Sequence, residues 1–263
     1  MQGISHQTLI YYDKIGLFRP AYTDPRNGYR YYSAAQLDEL DTICIMKRIG
    51  FSLKEIREHM EHFTLEKSLA ALRKQAAVLR RQMEELQMTL SRVEHRCLQL
   101  EHSADILDSW ESVTLEDAEP MQILELAVEE PYTLEQLSIV TKECFVRSWR
   151  EHLPIYFQSG AVVPYERICE GRYTEASHAF LPIEKQRLQG EVVGVRELPA
   201  GRCVVTYHKG DYLSIGKAYE RILDACRENG WIIVSDSYEL AMNDYLSTGD
   251  EEEYMTKIFF YVQ

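Results

Sequence analysis

Between residues 65 and 107, apolar residues recur at alternating steps of four and three positions. The apolar positions are Leu65, Leu69, Leu72, Ala76, Leu79, Met83, Leu86, Leu90, Val93, Cys97, Leu100, Ala104 and Leu107, and no Pro or Gly interrupts them. This seven-residue repeat predicts one long helix with a narrow apolar stripe. Because a single helix cannot bury such a stripe alone, we expect a partner helix from a second copy of the chain, and hence a homodimer.

Short helical patterns separated by a turn-rich loop fill residues 1–63. Ser5 precedes the first pattern and is a suitable N-cap, because its hydroxyl can accept a backbone N–H of the first turn. Asn27-Gly28 predicts the tight turn of a hairpin. Ser33 is placed to cap a second helix, and Ser52, with Glu three residues later, forms the capping-box pattern of a third.

After residue 109 the pattern changes to alternating strands and amphipathic helices. Predicted strands cover 122–128, 160–168, 173–181, 192–198, 202–208, 232–242 and 254–262, and predicted helices cover 134–149 and 212–226. The order contains two strand-helix-strand-strand units, which indicates an α+β domain with an internal repeat. We expect a cleft where the two halves meet.

The chain of 263 residues has 45% hydrophobic and 27% charged residues, as soluble globular proteins do, and a net charge of -13. That charge argues against nucleic-acid binding until it is divided by segment. Residues 1–63 hold 8 basic and 8 acidic side chains, residues 64–108 hold 7 and 7, and residues 109–263 hold 14 and 27. The acidic excess therefore belongs to the C-terminal segment alone, where it favours attraction of cations.

Metal, disulfide and membrane chemistry find little support in the sequence. The six cysteines are scattered without zinc-type spacing, and His59 and His62 have no third ligand nearby, so we expect no metal and no cofactor. No stretch reaches the roughly 20 apolar residues of a membrane span. We expect a cytoplasmic protein with no membrane partner.

The N-terminal pattern has the features of a winged helix-turn-helix. Polar residues in the first turn of a capped helix can reach base edges in the major groove, and arginines and tyrosines on a hairpin can hold phosphates. Judged by the residues alone, a small helical domain with a solvated Arg/Tyr hairpin is an equal alternative.

Three sequence segments resemble the DNA-binding domain of the MerR family of bacterial transcription regulators. They are GISHQTLIYYDKIGLFRP from Gly3, NGYRYYS from Asn27 and MKRIGFSLKEI from Met46. SDSYEL from Ser235 and EEEYMTKI from Glu251 are similar to the GyrI-like effector domain of the family's multidrug-sensing branch. The resemblance implies a winged helix-turn-helix over 1–63, a coiled-coil dimerisation helix over 64–108 and an effector-binding domain over 109–263.

Two departures from the family pattern concern the DNA-binding end. The first helix that usually precedes the opening residues has no counterpart here, and we expect a start that has been misassigned or clipped. Without that helix, Leu9, Leu37 and Leu40 would lose apolar cover. Ile10 replaces an arginine that holds phosphate in the family, and an aliphatic side chain cannot replace a guanidinium there.

The resemblance implies a dimer that binds promoter DNA together with RNA polymerase. In this family the regulator distorts a promoter whose spacer is too long, at a cost of roughly 1–6 kcal/mol, so that ligand binding can control it. The residues implied in DNA contact are Ser5, His6, Gln7 and Thr8 for base edges, Tyr11 and Lys47 near the distorted centre, and Arg26, Tyr29, Arg30 and Tyr31 at the flank.

The same resemblance implies a site for lipophilic cations centred on Glu239. A lone Glu on a strand face of small polar residues is more often solvated, but Glu239 matches the family's buried carboxylate. The other implied ligand residues are Tyr254, Glu252, Tyr165, Tyr207 and Phe180. The family's pocket tyrosine at the entry to the first half is matched by Ser159.

The sequence thus predicts a ligand-responsive transcription activator that is not an enzyme. Two alternatives remain open at this stage. One is a small-molecule hydrolase of the GyrI-like type using Glu239 and Tyr254, and the other is a drug-sequestering protein that has lost DNA binding.

Overall fold

The computed structural model of the chain describes residues 3–61, 64–184, 188, 190–245 and 247–263. The chain divides into two compact units, Met1–Leu86 and Gln87–Gln263. The helices are α1 (His6–Lys14), α2 (Leu37–Arg48), α3 (Leu53–Glu61), α4 (Leu65–Asp105), α5 (Leu134–Arg150), α6 (Tyr165–Cys169) and α7 (Gly216–Asn229), and the strands are β1 (Tyr22–Thr23), β2 (Arg30–Tyr31), β3 (Thr114–Ala118), β4 (Met121–Ala127), β5 (Gly160–Val163), β6 (His178–Ile183), β7 (Val195–Leu198), β8 (Gly201–Lys209), β9 (Ser237–Asn243) and β10 (Met255–Tyr261).

The N-terminal unit is a set of short helices around one small core. Phe18, Ile43 and Ile56 are fully buried there. Two of the three predicted caps are confirmed: the Ser5 hydroxyl accepts the Thr8 backbone N–H at 3.1 Å, and Ser52 forms the capping box that starts α3. These side chains satisfy backbone donors that the first turn of each helix leaves without partners. Ser33 instead precedes a short 3-10 turn, Ala34–Gln36, that leads into α2.

Helix α4 is a single element of 41 residues, as the heptad pattern predicts. Its apolar stripe is largely exposed, with Leu65 at 87% and Leu86 at 70% of their full accessibility. In the N-terminal unit, the Gln75 side-chain amide donates to the Ile49 carbonyl at 2.9 Å. The pairing of the stripe with a second chain stays a prediction.

An eight-stranded antiparallel sheet forms the C-terminal unit, in the order β3-β8-β10-β9-β5-β6-β4-β7. The two predicted repeats are present as β4-α5-β5-β6 and β8-α7-β9-β10, and they meet at the central β5-β9 pair. The α+β fold class is therefore confirmed. Strand β3 at the sheet edge is an addition that the sequence patterns did not predict.

Four predicted strands are shorter than expected. The strand predicted over 160–168 stops at Val163, because Pro164 lacks a backbone N–H for the ladder, and α6 follows at once. The Tyr165 backbone N–H is satisfied by the Asp236 carboxylate at 3.0 Å. The strands predicted from residues 173, 192 and 232 begin only at His178, Val195 and Ser237.

Helices α5 and α7 pack on one face of the sheet, and a separate aromatic cluster covers the other face. Tyr219 and Ile222 of α7 pack against Phe260 on the helix-covered face. Tyr238 and Phe259 pack on the opposite face. Side chains therefore alternate between two cores along each central strand, which decides the direction of every candidate site residue.

Candidate functional site

Glu239 lies in the middle of β9, on the sheet face that the helices cover. Ser237, Glu239 and Ala241 point to that face, whereas Tyr238 and Leu240 point to the opposite core. This alternation follows the period of two predicted from the sequence. Glu239 is only 2% exposed, so the carboxylate lies within the domain and not in solvent.

Two tyrosine hydroxyls hold the Glu239 carboxylate. Tyr219 of α7 donates to Oε1 at 2.5 Å, and Tyr212, in the short 3-10 turn before α7, donates to Oε2. Burial raises the pKa of Glu239 to about 7, and the two hydrogen bonds counteract part of that effect. The same burial, with the nearby carboxylate, raises the pKa of both tyrosines well above the usual value, so the hydroxyls stay protonated donors.

A cavity of about 210 Å³, here called the Glu239 cavity, opens beside this carboxylate. It lies along the β5-β9 seam where the two repeats meet, which is where the sequence predicted a cleft. Its lining consists of Leu137, Thr141, Ser159, Gly160, Ala161, Gly210, Tyr212, Glu239, Ala241, Asn243, Asp244, Tyr245, Tyr254 and Thr256. These described lining residues supply two carboxylates and three phenol rings but no basic side chain.

Gly160 allows close packing where β5 meets β9, on the sheet face opposite Glu239. A Cβ at this position would lie 2.2 Å from Phe180 Cζ and 2.5 Å from the Glu239 carbonyl oxygen. Both distances are below van der Waals contact, so β5 and β9 pack this closely only with glycine here.

The structure brings two of the predicted ligand residues together and places four elsewhere. Glu239 and Tyr254 line the same cavity. Tyr207 and Phe180 point to the opposite sheet face, where the Tyr207 hydroxyl lies 3.0 Å from His102 Nε2. The other two lie outside the described lining: Tyr165 is on α6 with its ring edge-on to Phe260, and Glu252 is exposed in a short 3-10 turn.

Several residues of the site received little weight in the sequence analysis. Tyr219 was assigned only to a helix, and Tyr245 and Asp244 were not singled out. Tyr212 and Tyr219 are seven residues apart, the spacing that puts two side chains on one side of a helix, so their shared face was a usable signal. Ser159, the counterpart of the family's pocket tyrosine, does line the cavity.

The candidate DNA-contacting residues of α1 stand at the surface. Ser5, His6, Gln7 and Tyr11 are exposed, and Thr8 is half-buried with its hydroxyl 2.8 Å from that of Ser5. Ser5 and Thr8 therefore also serve as the helix cap.

The hairpin carries its two arginines in intramolecular ion pairs. Arg26, with an 87% exposed side chain, pairs with the buried Asp24 at 3.2 Å, which lowers the pKa of that carboxyl. Arg30 Nε lies 2.8 Å from Asp13 of α1. Both pairs fix arginine stems while nitrogen donors remain for phosphate. The remaining candidates, Tyr29, Tyr31 and Lys47, are exposed, and Lys47 Nζ lies 5.9 Å from the ring centre of Tyr12.

The described residues carry neither a metal-binding cluster nor a membrane-spanning helix. Within those ranges, no cluster of three or more His, Cys, Asp or Glu side chains is arranged to hold a metal ion. His59 Nε2 lies 3.3 Å from the Ser68 hydroxyl, and His62 lies outside the described residues. None of the helices described is both long and apolar enough to cross a membrane.

Both units of the chain match known protein families. The family described as MerR HTH family regulatory protein matches residues 1–62, and the one described as MerR, DNA binding matches residues 37–96. The GyrI-like small molecule binding domain matches residues 112–263. The chain belongs to the MerR family and is a transcription regulator with a GyrI-like small-molecule-binding domain.

Individual known proteins are similar to all or part of the chain. The chain is 26% identical over 262 residues to the multidrug-efflux transporter 2 regulator of Bacillus subtilis (strain 168), covering 99% of this chain and 92% of that protein. It is 48% identical over 58 residues to the multidrug-efflux transporter 1 regulator of the same organism, covering 22% and 21%. A cryo-EM structure of an EcmrR-DNA complex covers 100% of this chain and 96% of that chain, at 20% identity and a TM-score of 0.47.

Proposed function

We propose that this protein is a dimeric transcription activator that responds to lipophilic cations and controls multidrug efflux. The names of the curated relatives, which regulate multidrug-efflux transporters, support the efflux assignment. In this proposal, residues of the N-terminal unit contact DNA, and the Glu239 cavity binds the cation.

The observation that carries the proposal is the environment of Glu239. A carboxylate that is 2% exposed receives hydrogen bonds from neutral tyrosine hydroxyls, and no ion pair with Lys or Arg is present among the described residues. A buried anion without a countercharge is costly, and a bound cation removes much of that cost. The phenol rings of Tyr212, Tyr245 and Tyr254 add cation–π attraction.

The size of the cavity limits which cations it can take in this conformation. Its volume of about 210 Å³ is below the roughly 300–1,000 Å³ of pockets that enclose drug-sized ligands. A compact aromatic quaternary cation is therefore the best first probe, and a bulky one requires the cavity mouth to widen.

The DNA-binding end supports contact with promoter DNA, and distortion of a promoter with an over-long spacer is part of the proposal. The polar first turn of α1 is exposed for base edges, and Arg26, Arg30 and the hairpin tyrosines lie together on one hairpin where they can hold phosphate. In this account, the dimer and RNA polymerase occupy the same promoter, and the cation shifts the dimer toward the state that realigns the promoter elements.

Exposure of the α4 stripe supports the dimer. Leu72, Leu79 and Leu90 are each more than 40% exposed on a helix with a heptad repeat. Pairing two such helices would bury these side chains along their length.

Titration calorimetry tests the cation site directly. Benzyltrimethylammonium and the larger tetraphenylphosphonium are titrated into the wild type, Glu239→Gln and a control, Glu228→Gln, whose carboxyl is exposed on α7. The proposal predicts binding to the wild type and the control and a loss of at least about tenfold in Glu239→Gln. Equal affinities, or equal binding of the uncharged isostere neopentylbenzene, would remove the carboxylate from the mechanism.

A further inference from the structure

An arginine in the second half of α4 contacts the lining of the Glu239 cavity. The Arg96 guanidinium pairs with the Asp244 carboxylate at 2.7 Å, and both side chains are only 13% exposed. Arg96 also donates to the Met242 carbonyl at 3.2 Å and to the Ser247 hydroxyl. Because Asp244 itself lines the cavity, one carboxylate faces both the helix and the ligand space.

A second set of contacts links the same turn of α4 to the segment that precedes β5. The His95 ring stacks on Tyr156 with ring centres 3.8 Å apart. Two residues later, the buried Gln158 donates from its amide to the Ala241 carbonyl at 3.0 Å. Ala241 and Ser159 both line the cavity. Arg96 therefore contacts a cavity-lining residue directly, and His95 contacts the segment that leads into Ser159.

Near its N-terminal end, the same helix contacts the buried cluster of the N-terminal unit. Ala71 packs against the buried cluster of the N-terminal unit, and Gln75 donates to the Ile49 carbonyl. Because α4 runs without a break from Leu65 to Asp105, a change at Arg96 is made on an element that also touches that core.

We propose that the Arg96–Asp244 ion pair is the contact through which a cation in the Glu239 cavity changes the state of α4. The inference rests on the proposed cation site. A cation near Asp244 competes with Arg96 for the same carboxylate, because two like charges beside one anion repel each other. The Arg96–Asp244 ion pair therefore weakens, and the second half of α4 becomes less restrained.

Thermodynamic linkage gives this mechanism a reciprocal signature. If the cation must weaken the ion pair in order to bind, then removing Arg96 removes that cost. Arg96→Gln is therefore expected to bind benzyltrimethylammonium about fivefold tighter than the wild type, the low end of usual coupling between sites. A merely structural arginine would not improve affinity when it is removed.

Hydrogen exchange of the full-length protein with and without benzyltrimethylammonium tests the inference. In the wild type, the cation should speed exchange in residues 87–105, and Arg96→Lys should keep that response because it keeps the charge. In Arg96→Gln, exchange there should already be fast and unchanged by the cation. The control Arg92→Gln, one turn earlier on α4, should respond as the wild type does.

The outcomes separate the coupling from the cation site. If the wild type shows no calorimetric binding, both the proposed function and this inference fail. If it binds and Arg96→Gln still shows the cation-induced change in residues 87–105, only the coupling is overturned. Should Arg96→Gln not fold, Asp244→Asn tests the same contact from the other side and should also abolish the change.

Discussion

Tyr219 connects the Glu239 carboxylate to an aromatic contact between the two repeats. Its hydroxyl donates to Glu239 Oε1 at 2.5 Å, and its ring stacks on Tyr173 with ring centres 5.5 Å apart. The first contact stabilises the ionised carboxylate, whereas the second contact fixes the ring. The two contributions can be separated by a substitution that removes only the hydroxyl.

Tyr219→Phe should make cation binding require a higher pH. The variant keeps the ring but loses a donor to the carboxylate, so the pKa of Glu239 rises further. A hydrogen bond to a charged group contributes about 1.5 kcal/mol or more, which would move the midpoint of binding upward by about one pH unit. Benzyltrimethylammonium affinity measured against pH gives this midpoint. Tyr245→Phe, a change in a tyrosine of the cavity lining, should leave the midpoint in place. An unmoved midpoint in Tyr219→Phe would contradict the assignment.

Cation affinity of the wild type should rise with pH and level off above neutrality. The pKa of Glu239 is about 7 in the unliganded protein, and only the ionised carboxylate attracts a cation. Below that pKa, affinity should fall by about tenfold for each pH unit. A quaternary ammonium is the probe of choice because its own charge does not change. Glu239→Gln should give a flat profile, and a flat profile in the wild type would be the contradicting result.

Glu239→Gln should stabilise the unliganded protein at high pH and not at low pH. The folded-state pKa of about 7 lies above the ordinary 4.5. The folded protein therefore binds the proton more tightly than the unfolded chain, and stability falls as pH rises between those values, by about 3 kcal/mol at most. Denaturant unfolding near pH 5 and about pH 8 measures the difference. A variant equally or less stable at both pH values would argue against an unfavourable buried charge.

Leu86→Glu should shift the protein from dimer to monomer. Leu86 is 70% exposed within the apolar stripe of α4, so in the proposed dimer the substitution would bury a charge at the seam. Sedimentation equilibrium measures the association. Gln82→Glu makes the same kind of side chain outside the stripe and should stay dimeric. If Leu86→Glu associates as the wild type does, the dimer is formed elsewhere.

Arg26→Ala should weaken DNA binding in a way that depends on salt and not on sequence. Arg26 is held by Asp24 on the exposed hairpin, where its free nitrogens can contact a phosphate. The slope of log affinity against log salt should fall by about one per protomer. Fluorescence anisotropy at several KCl concentrations gives that slope. Arg81→Ala, which removes an exposed arginine from α4, should leave the slope unchanged.

Much of the fold follows from short-range patterns in the sequence. The heptad stripe predicts α4, and the alternation along β9 places Glu239 and Ala241 together on one face. These predictions succeed because helix and strand periods decide side-chain direction locally. The strand ends were predicted less well. The end of β5 depends on Pro164, which lacks a backbone N–H, and the start of α6 depends on a hydrogen bond to Asp236, which is distant in sequence.

The ligand cavity was only partly predictable, for a geometric reason. Glu239 lies on β9 and Tyr254 immediately precedes the paired strand β10, so their proximity follows once the sheet is formed. Tyr207 lies within a strand, but its position in the side-chain alternation of β8 directs it to the opposite face. Asp244 and Tyr245 lie just beyond the end of β9, where no period applies, and tertiary packing alone brings them to the cavity.

The central claim is that a cation at Glu239 controls transcription. Its most direct test is run-off transcription from a promoter with an extended spacer that carries a DNA sequence selected by the protein from a random duplex pool. At equal DNA occupancy, benzyltrimethylammonium should raise transcript yield with the wild type and leave Glu239→Gln unresponsive. Equal responses of the two proteins, or no response of the wild type at a saturating cation concentration, would contradict the account.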